Sequence, residues 1–190
     1  MIATGIEMFR REGYQSCSWR KLVEKSGAPW GSAYHYFPQG KEQLGVAVIE
    51  RAAQLGAAWI ARSFEGQASA AEGITAVLRG SAQLLGHERY QAGCPIAVVI
   101  LERGSHSPAL TAACAAAFES WRRQLAQALE ARGFEVERAS GIALITLVVL
   151  EGCLVLARAA GSTEAFEVGL ATLLAQLGEQ GQAGPVAVRT

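Results

Sequence analysis

Residues 21–44 read KLVEKSGAPWGSAYHYFPQGKEQL, two short helical patterns on either side of a glycine turn. Leu22, Val23, Ala33 and Phe37 are the apolar positions at which two crossing helices would meet, and Gly27 supplies the turn. Pro29 suits a helix start, where a ring-fixed φ and a missing N–H do no harm. Phe37-Pro38-Gln39-Gly40 then breaks the pattern. The second helix carries Ser32, Tyr34, His35 and Tyr36, and Lys41 opens the helix that follows. Gly31 lets a backbone come close to another surface. A helix that only packs inside a domain rarely carries so many polar aromatic groups. This is the pattern of a helix-turn-helix, whose second helix enters a DNA groove.

Outward from this hairpin, helical periodicity continues along the chain. Upstream, Ile2, Ile6 and Phe9 form one apolar stripe that Gly13 closes, and Ser18 is placed to cap the next helix. Downstream, a long helix is expected from Lys41 to about Ser63, with Leu44, Val48, Leu55 and Trp59 facing inward. Glu65 to Ser69 reads as a linker. Further helices are expected over Ala70 to Glu88, from Ala92 to Glu102, and from Pro108 to Arg132 behind a Ser107 cap. Two more follow, Glu137 to Ala160 and a last one from a Thr163 cap to Leu177. The tail from Gly178 is rich in Gly and Gln and is expected to lack structure. No Val/Thr alternation bounded by hairpin turns interrupts the series, and no repeat of about 20–50 residues is present. The fold class is therefore all-α. A three-helix helix-turn-helix domain is expected over residues 1–45 and a larger helical domain over 46–178, with 179–190 as the tail.

The composition suits this division. At 190 residues, 51% hydrophobic and 18% charged, the chain can bury a substantial core. Its net charge is zero, which argues against holding nucleic acid by charge alone. Residues 1–62 nevertheless carry eight Lys/Arg against five Glu, and residues 63–190 nine Arg against twelve Glu. That tilt favours DNA contact through the N-terminal part. Cys17, Cys94, Cys114 and Cys153 are scattered without a CxxC pair, as expected of buried, reduced thiols in a cytoplasmic protein. Arg10, Arg11 and Glu12 interrupt the first apolar stretch, so no secretory signal is expected. Ile142 to Ala157 is shorter than the roughly 20 residues of a bilayer span and contains Glu151, so a buried helix is expected there and no membrane partner.

Catalysis finds little support. GxSxG, HExxH, Walker and dinucleotide-binding patterns are absent, Asp is absent altogether, and the three histidines are dispersed. Cys94 with His87 or His106 imitates a thiol–base pair or a metal site, but further ligands at regular spacing are missing. No catalytic residue, metal or cofactor is expected.

With these residues in view, the run from Met8 to Leu44 (MFRREGYQSCSWRKLVEKSGAPWGSAYHYFPQGKEQL) resembles the DNA-binding domain of the TetR family of bacterial transcriptional repressors. The likeness covers residues 1 to about 50 closely and is looser beyond. GCPIAVVILE at Gly93 to Glu102, with Pro29 and the Phe37-Pro38 stop, is similar to that family's LmrA/YxaF-like branch. The resemblance implies that Ser18 and Arg20 meet DNA at the start of the second helix, Ser18 at a phosphate. It implies that Ser32 reads a base edge, that Tyr34 and Tyr36 bond to phosphates, and that Lys41 adds its charge to another. Gly31 and His35 belong to the same DNA-facing set. Trp30 stands where the family often has a basic or amide side chain. Its spacing to Ala33 and Phe37 leaves DNA contact and core packing both open. Ala33 replaces the usual Leu or Ile, which leaves room for Trp30 to fill. The chain also begins inside the first helix, without the basic stretch that usually precedes it.

The resemblance further implies a ligand-responsive repressor that binds a palindromic operator as a homodimer, since two symmetric half-sites need a two-fold reader. An effector pocket is expected between the helices of residues 41–132. Trp59, Phe64, Tyr90, Cys94, Phe118 and Trp121 would wall it for a small, largely apolar effector, though each also reads as ordinary core, and His87 and Glu102 read either as polar anchors or as surface residues. The last two helices are expected to form a four-helix bundle across the dimer. Leu147, Leu150, Leu154, Leu170, Leu173 and Leu177 are its candidates, and the same leucines also read as intramolecular core. The alternative is a helical scaffold protein that keeps the fold and has lost specific DNA binding, with Trp30 and the short N-terminus as its support.

Overall fold

The computed structural model describes residues 1–103 and 106–179, and among these every regular element is an α-helix. The helices are α1 Ile2–Glu12, α2 Trp19–Ser26, α3 Trp30–Tyr36, α4 Lys41–Phe64, α5 Ala70–His87, α6 Pro95–Arg103, α7 Pro108–Glu130, α8 Val136–Ala160 and α9 Glu164–Glu179. Their ends follow from local chemistry. Ser18 accepts a hydrogen bond from the Lys21 amide at 3.1 Å and starts α2. Gly27 ends it in the left-handed region, at φ 66°, where a Cβ would be strained. Ser69 and Glu72 form a reciprocal capping box on α5, and Ser107 caps α7 ahead of Pro108.

Three boundaries differ from the sequence expectation by two residues or more. Helix α6 starts at Pro95 rather than Ala92, because the preceding loop is tied to α1: the Gly93 amide donates to the Arg10 carbonyl at 2.9 Å. Helix α7 stops at Glu130 rather than Arg132, whose guanidinium instead donates to the Phe64 and Gln67 carbonyls at 2.6 and 3.2 Å. Helix α9 runs to Glu179, past Leu177, and the rest of the expected tail lies outside the described residues.

Helix α7 is central, packed against α4, α6 and α8, while α9 closes the bundle on α5 and α8. The N-terminal helices sit at one end: α1 packs on α4 and α6 and carries α2 beside it. The result is a helix-turn-helix unit joined to a larger helical bundle. By length and composition, α4 and α8 would each suffice to cross a membrane. The 25-residue α8 is longer than the apolar stretch read from the sequence. Here one side of it is covered by α7 and α9. The four cysteines are free and buried. Three donate to main-chain carbonyls, Cys17 to Gly13, Cys114 to Ile96 and Cys153 to Ala165. Burial pushes the Cys114 thiol up to about 11, so it packs as a small apolar group.

Leu44 and Val48 face the core as expected, but Leu55 and Trp59 do not. Both are exposed along a cavity beside α4, and glycines make room for the rings that line it. A Cβ on Gly80 would collide with the Trp59 indole, and one on Gly56 with that of Trp121. Trp121 lies across α4 at this point and donates its Nε1–H to the Ala53 carbonyl at 2.8 Å. Gly56→Ala is therefore expected to displace Trp121 and lower stability by about 1–3 kcal/mol, the usual cost of overpacking. Urea titration followed by tryptophan fluorescence measures both effects.

Candidate functional site

Helix α3 has seven residues, too few to hold its shape alone. Ala33 anchors it from below, with no exposed surface. From α2, the Trp19 indole meets Tyr34 and Phe37 edge-on, at centroid distances of 6.0 and 6.5 Å. Trp19 is thus the indole packed between the two helices, a role the sequence left open for Trp30. Trp30 is 43% exposed and stacks on Tyr34, with centroids 6.1 Å apart and planes 29° from parallel. Tyr34 and Tyr36 are 55% and 71% exposed, and Gly31, Ser32 and His35 also face solvent. Every residue of α3 except Ala33 is therefore available to another molecule.

The flanking groups are arranged less uniformly. Ser18 uses its oxygen as a cap and keeps its hydroxyl hydrogen for a further acceptor. Arg20 is exposed and pairs with Glu24 at 2.7 Å across one helical turn. Lys41 is partly buried: its ammonium lies 4.1 Å from the Tyr14 ring centroid and donates to the Gln15 carbonyl at 3.4 Å. Burial pushes its pKa down. Lys41 is thus turned toward the protein, unlike the phosphate-facing arrangement expected for it.

A cavity of about 530 Å³ lies between α1, α4, α5, α7 and α8. Of the residues read from the sequence as pocket candidates, Trp59, Cys94, Trp121 and His87 line it. Phe64, Tyr90, Phe118 and Glu102 do not. Phe64 is the last residue of α4, beyond the end of the cavity, with the Arg132 guanidinium over its ring. Phe118 backs Trp121 edge-on at 5.8 Å. Tyr90 follows Arg89 in a left-handed turn, at φ 60° and 54°, which redirects the loop leading to the cavity. The Glu102 carboxylate accepts from the Gln15 amide at 2.6 Å and so ties α6 to the segment before α2.

Two charged wall residues escaped the sequence reading. Arg10 reaches from α1 to the α5–α6 loop, where its guanidinium donates to both Glu88 carboxylate oxygens at 3.0 and 2.8 Å. Its Nε donates to the Gly93 carbonyl at 3.2 Å. Glu151 lines the opposite wall, and its two carboxyl oxygens are buried without a hydrogen-bond partner among the described residues. Its polar neighbour is the Cys94 thiol, a weak donor. Burial raises the Glu151 carboxyl to about 7, an effect the thiol only partly offsets.

The six leucines expected at a dimer surface lie mostly inside the chain. Leu147, Leu150, Leu170 and Leu173 are buried, Leu154 and Leu177 are partly buried, and Leu150 and Leu154 border the cavity. The exposed apolar stripe of α8 runs instead through Leu144, Ile145, Val148, Val155 and Leu156, with Val168 beside it on α9. Among the described residues, no packed neighbour lies within 4 Å of the Cβ positions of Gly141 and Gly152 on that helix. Helix α8 is apolar nearly all round, so its hydrophobic pattern does not select a face. Among the described residues no group of three His, Cys or Glu side chains is placed to hold a metal ion.

Comparison with known proteins places this architecture. Residues 1–48 match bacterial regulatory proteins of the tetR family, and residues 70–169 match the C-terminal domain of LmrA/YxaF-like transcriptional regulators. The chain belongs to the TetR family of transcriptional regulators. It is 33% identical over 163 residues to an uncharacterized HTH-type transcriptional regulator of Mycobacterium tuberculosis, covering 83% of this chain and 82% of that one. It is 27% identical over 156 residues to the HTH-type transcriptional regulator LmrA of Bacillus subtilis, covering 82% and 83%. The fold superposes on the crystal structure of a TetR transcriptional regulator from Legionella pneumophila with a TM-score of 0.80 at 23% identity, covering 92% and 94% of the two chains.

The buried carboxyl carries its own prediction. Glu151 moves from an ordinary 4.5 to about 7, so between those values the folded chain holds a proton that the unfolded chain has released. Stability should fall as pH rises through that window, by roughly 3 kcal/mol in total. Glu151→Gln is expected to remove this slope. Thermal denaturation of both proteins from pH 4.5 to 8 compares them, and equal slopes would count against a proton held at Glu151.

Proposed function

We propose that this chain is a ligand-responsive transcriptional repressor of the LmrA/YxaF-like branch, acting in the cytoplasm as a homodimer on a palindromic operator. The observation that carries this reading is α3: a short helix pinned by Ala33 and Trp19, with its polar and aromatic side chains turned to solvent. Residues 1–45 act as the DNA reader and residues 46–178 as the effector and dimerisation unit. Ser18, Ser32, Tyr34 and Tyr36 supply hydroxyls to phosphates and base edges, and Arg20 adds charge. The exposed α8–α9 stripe meets its symmetry mate, and Gly141 and Gly152 let the helices approach closely.

The effector is a small, largely apolar molecule held between Trp59 and Trp121. Glu151 is the group that a hydrogen-bond donor on it would meet. Release is a population shift: the effector favours a cavity shape in which the 88–94 loop moves, and Arg10 carries that displacement to α1. The two recognition helices then no longer match successive major grooves.

Gel shift with the DNA upstream of the chain's own coding sequence tests the reading. Specific binding is expected, with the logarithm of affinity falling linearly against that of salt concentration. Tyr34→Phe removes one charge-assisted hydrogen bond per subunit and should weaken binding by roughly tenfold or more with helix content unchanged. An unchanged affinity removes Tyr34 from the contacts. No shift with any sequence, from a folded dimer, favours the scaffold reading instead. Val148→Glu puts a charge in the α8 stripe and is expected to yield monomers in analytical ultracentrifugation.

A further inference from the structure

Trp30 is the first residue of α3, in the turn from which a recognition helix reaches base edges. It is exposed, and a Cβ on the Gly31 that follows it would meet nothing within 4 Å among the described residues. Its ring is nevertheless held. Trp30 stacks on Tyr34, Tyr34 meets Trp19, and Trp19 meets the partly buried Phe37. This ladder of four rings runs from the core to the surface and ends on Trp30. It fixes the outermost indole before any partner arrives, so little side-chain entropy remains to be lost on contact.

An indole carries no charge, and its donor is a single N–H on one edge. It cannot make the two-pronged contact to guanine of an Arg or Lys, nor that of an Asn or Gln to adenine. Its large apolar face has one complement among the base edges of the major groove, the C5-methyl group of thymine. We propose that Trp30 is a specificity-determining residue that reads thymine in each operator half-site by packing its ring face on the thymine methyl.

The inference rests on the DNA-reading assignment above, and one experiment separates the two. A binding site is selected from random duplex DNA with the full chain. Each thymine is then replaced by deoxyuridine, which removes the methyl and leaves every hydrogen-bonding group in place. One thymine per half-site should matter to the wild-type protein, weakening binding about fourfold in one half-site and about fifteenfold in both, as expected for loss of a buried methyl. Trp30→Ala should bind thymine and deoxyuridine sites equally, whereas Trp30→Phe keeps an apolar ring and at least part of the difference. Circular dichroism checks that both variants fold, as an exposed position allows. A half-site without thymine, a methyl effect unchanged in Trp30→Ala, or its complete loss in Trp30→Phe overturns the proposal. Failure to select any site with folded protein removes the DNA-reading assignment and this inference together.

Discussion

Arg10 holds the two parts of the molecule in register. Its guanidinium grips Glu88 with two hydrogen bonds and Gly93 with a third, while its own carbonyl accepts from the Gly93 amide. Both side chains of the ion pair are largely shielded from water, where a bidentate charge-assisted pair is stronger and more directional than at the surface. Helix α1 carries α2 beside it, so this grip, together with the packing of α1 on α4, positions the helix-turn-helix. The loop it grips is also a wall of the cavity. One side chain thus belongs to both parts. Two further ties support it: Glu102 accepts from the Gln15 amide, and Ser107 donates to Glu42 at 2.8 Å.

The same structure solves two local problems with unusually small and unusually large residues. In the helix-turn-helix, Ala33 gives α3 a close seat, and the Trp19 indole covers the flank that a longer side chain would otherwise fill. Apart from the Tyr34 ring, which meets Trp19 and carries Trp30, the outer residues of α3 then face solvent. In the bundle, Gly56 and Gly80 leave recesses in α4 and α5 where the indoles of Trp121 and Trp59 lie flat. Both rings line the cavity, and Trp121 also belongs to the buried core. Glu151 on the facing helix costs stability when ionised, since burial removes water and no partner replaces it. A group of that kind persists most readily where a ligand or a proton can satisfy it.

Much of this was legible along the chain wherever the cause is local. Ser18, Gly27 and Ser107 bound helices through hydrogen bonds and backbone angles within a few residues, and the structure places them at those ends. Ser32, Tyr34 and Tyr36 were identifiable because a polar aromatic run on a short helix conflicts with burial. The cavity was only partly legible. Trp59, Cys94 and Trp121 line it, but so do Arg10 and Glu151, which lie far from them in sequence and carry charges that composition alone assigns to the surface. Leucine on α8 seemed the natural residue for an interface, yet the buried face took Leu147 and Leu150, and Val148 and Val155 were left outside.

The sequence by itself determined the order of the described helices and the turn of the helix-turn-helix, because capping, turn conformation and periodicity act over a few residues, and the residues of that motif carried the family resemblance. Tertiary structure alone decided which indole of the hairpin is packed and which is presented, which face of α8 stays exposed, and that Arg10 and Glu151 share a cavity. Those outcomes depend on where separate helices cross. A helix that is apolar on every side, or a pair of tryptophans eleven positions apart, carries no local signal of the neighbour it will meet.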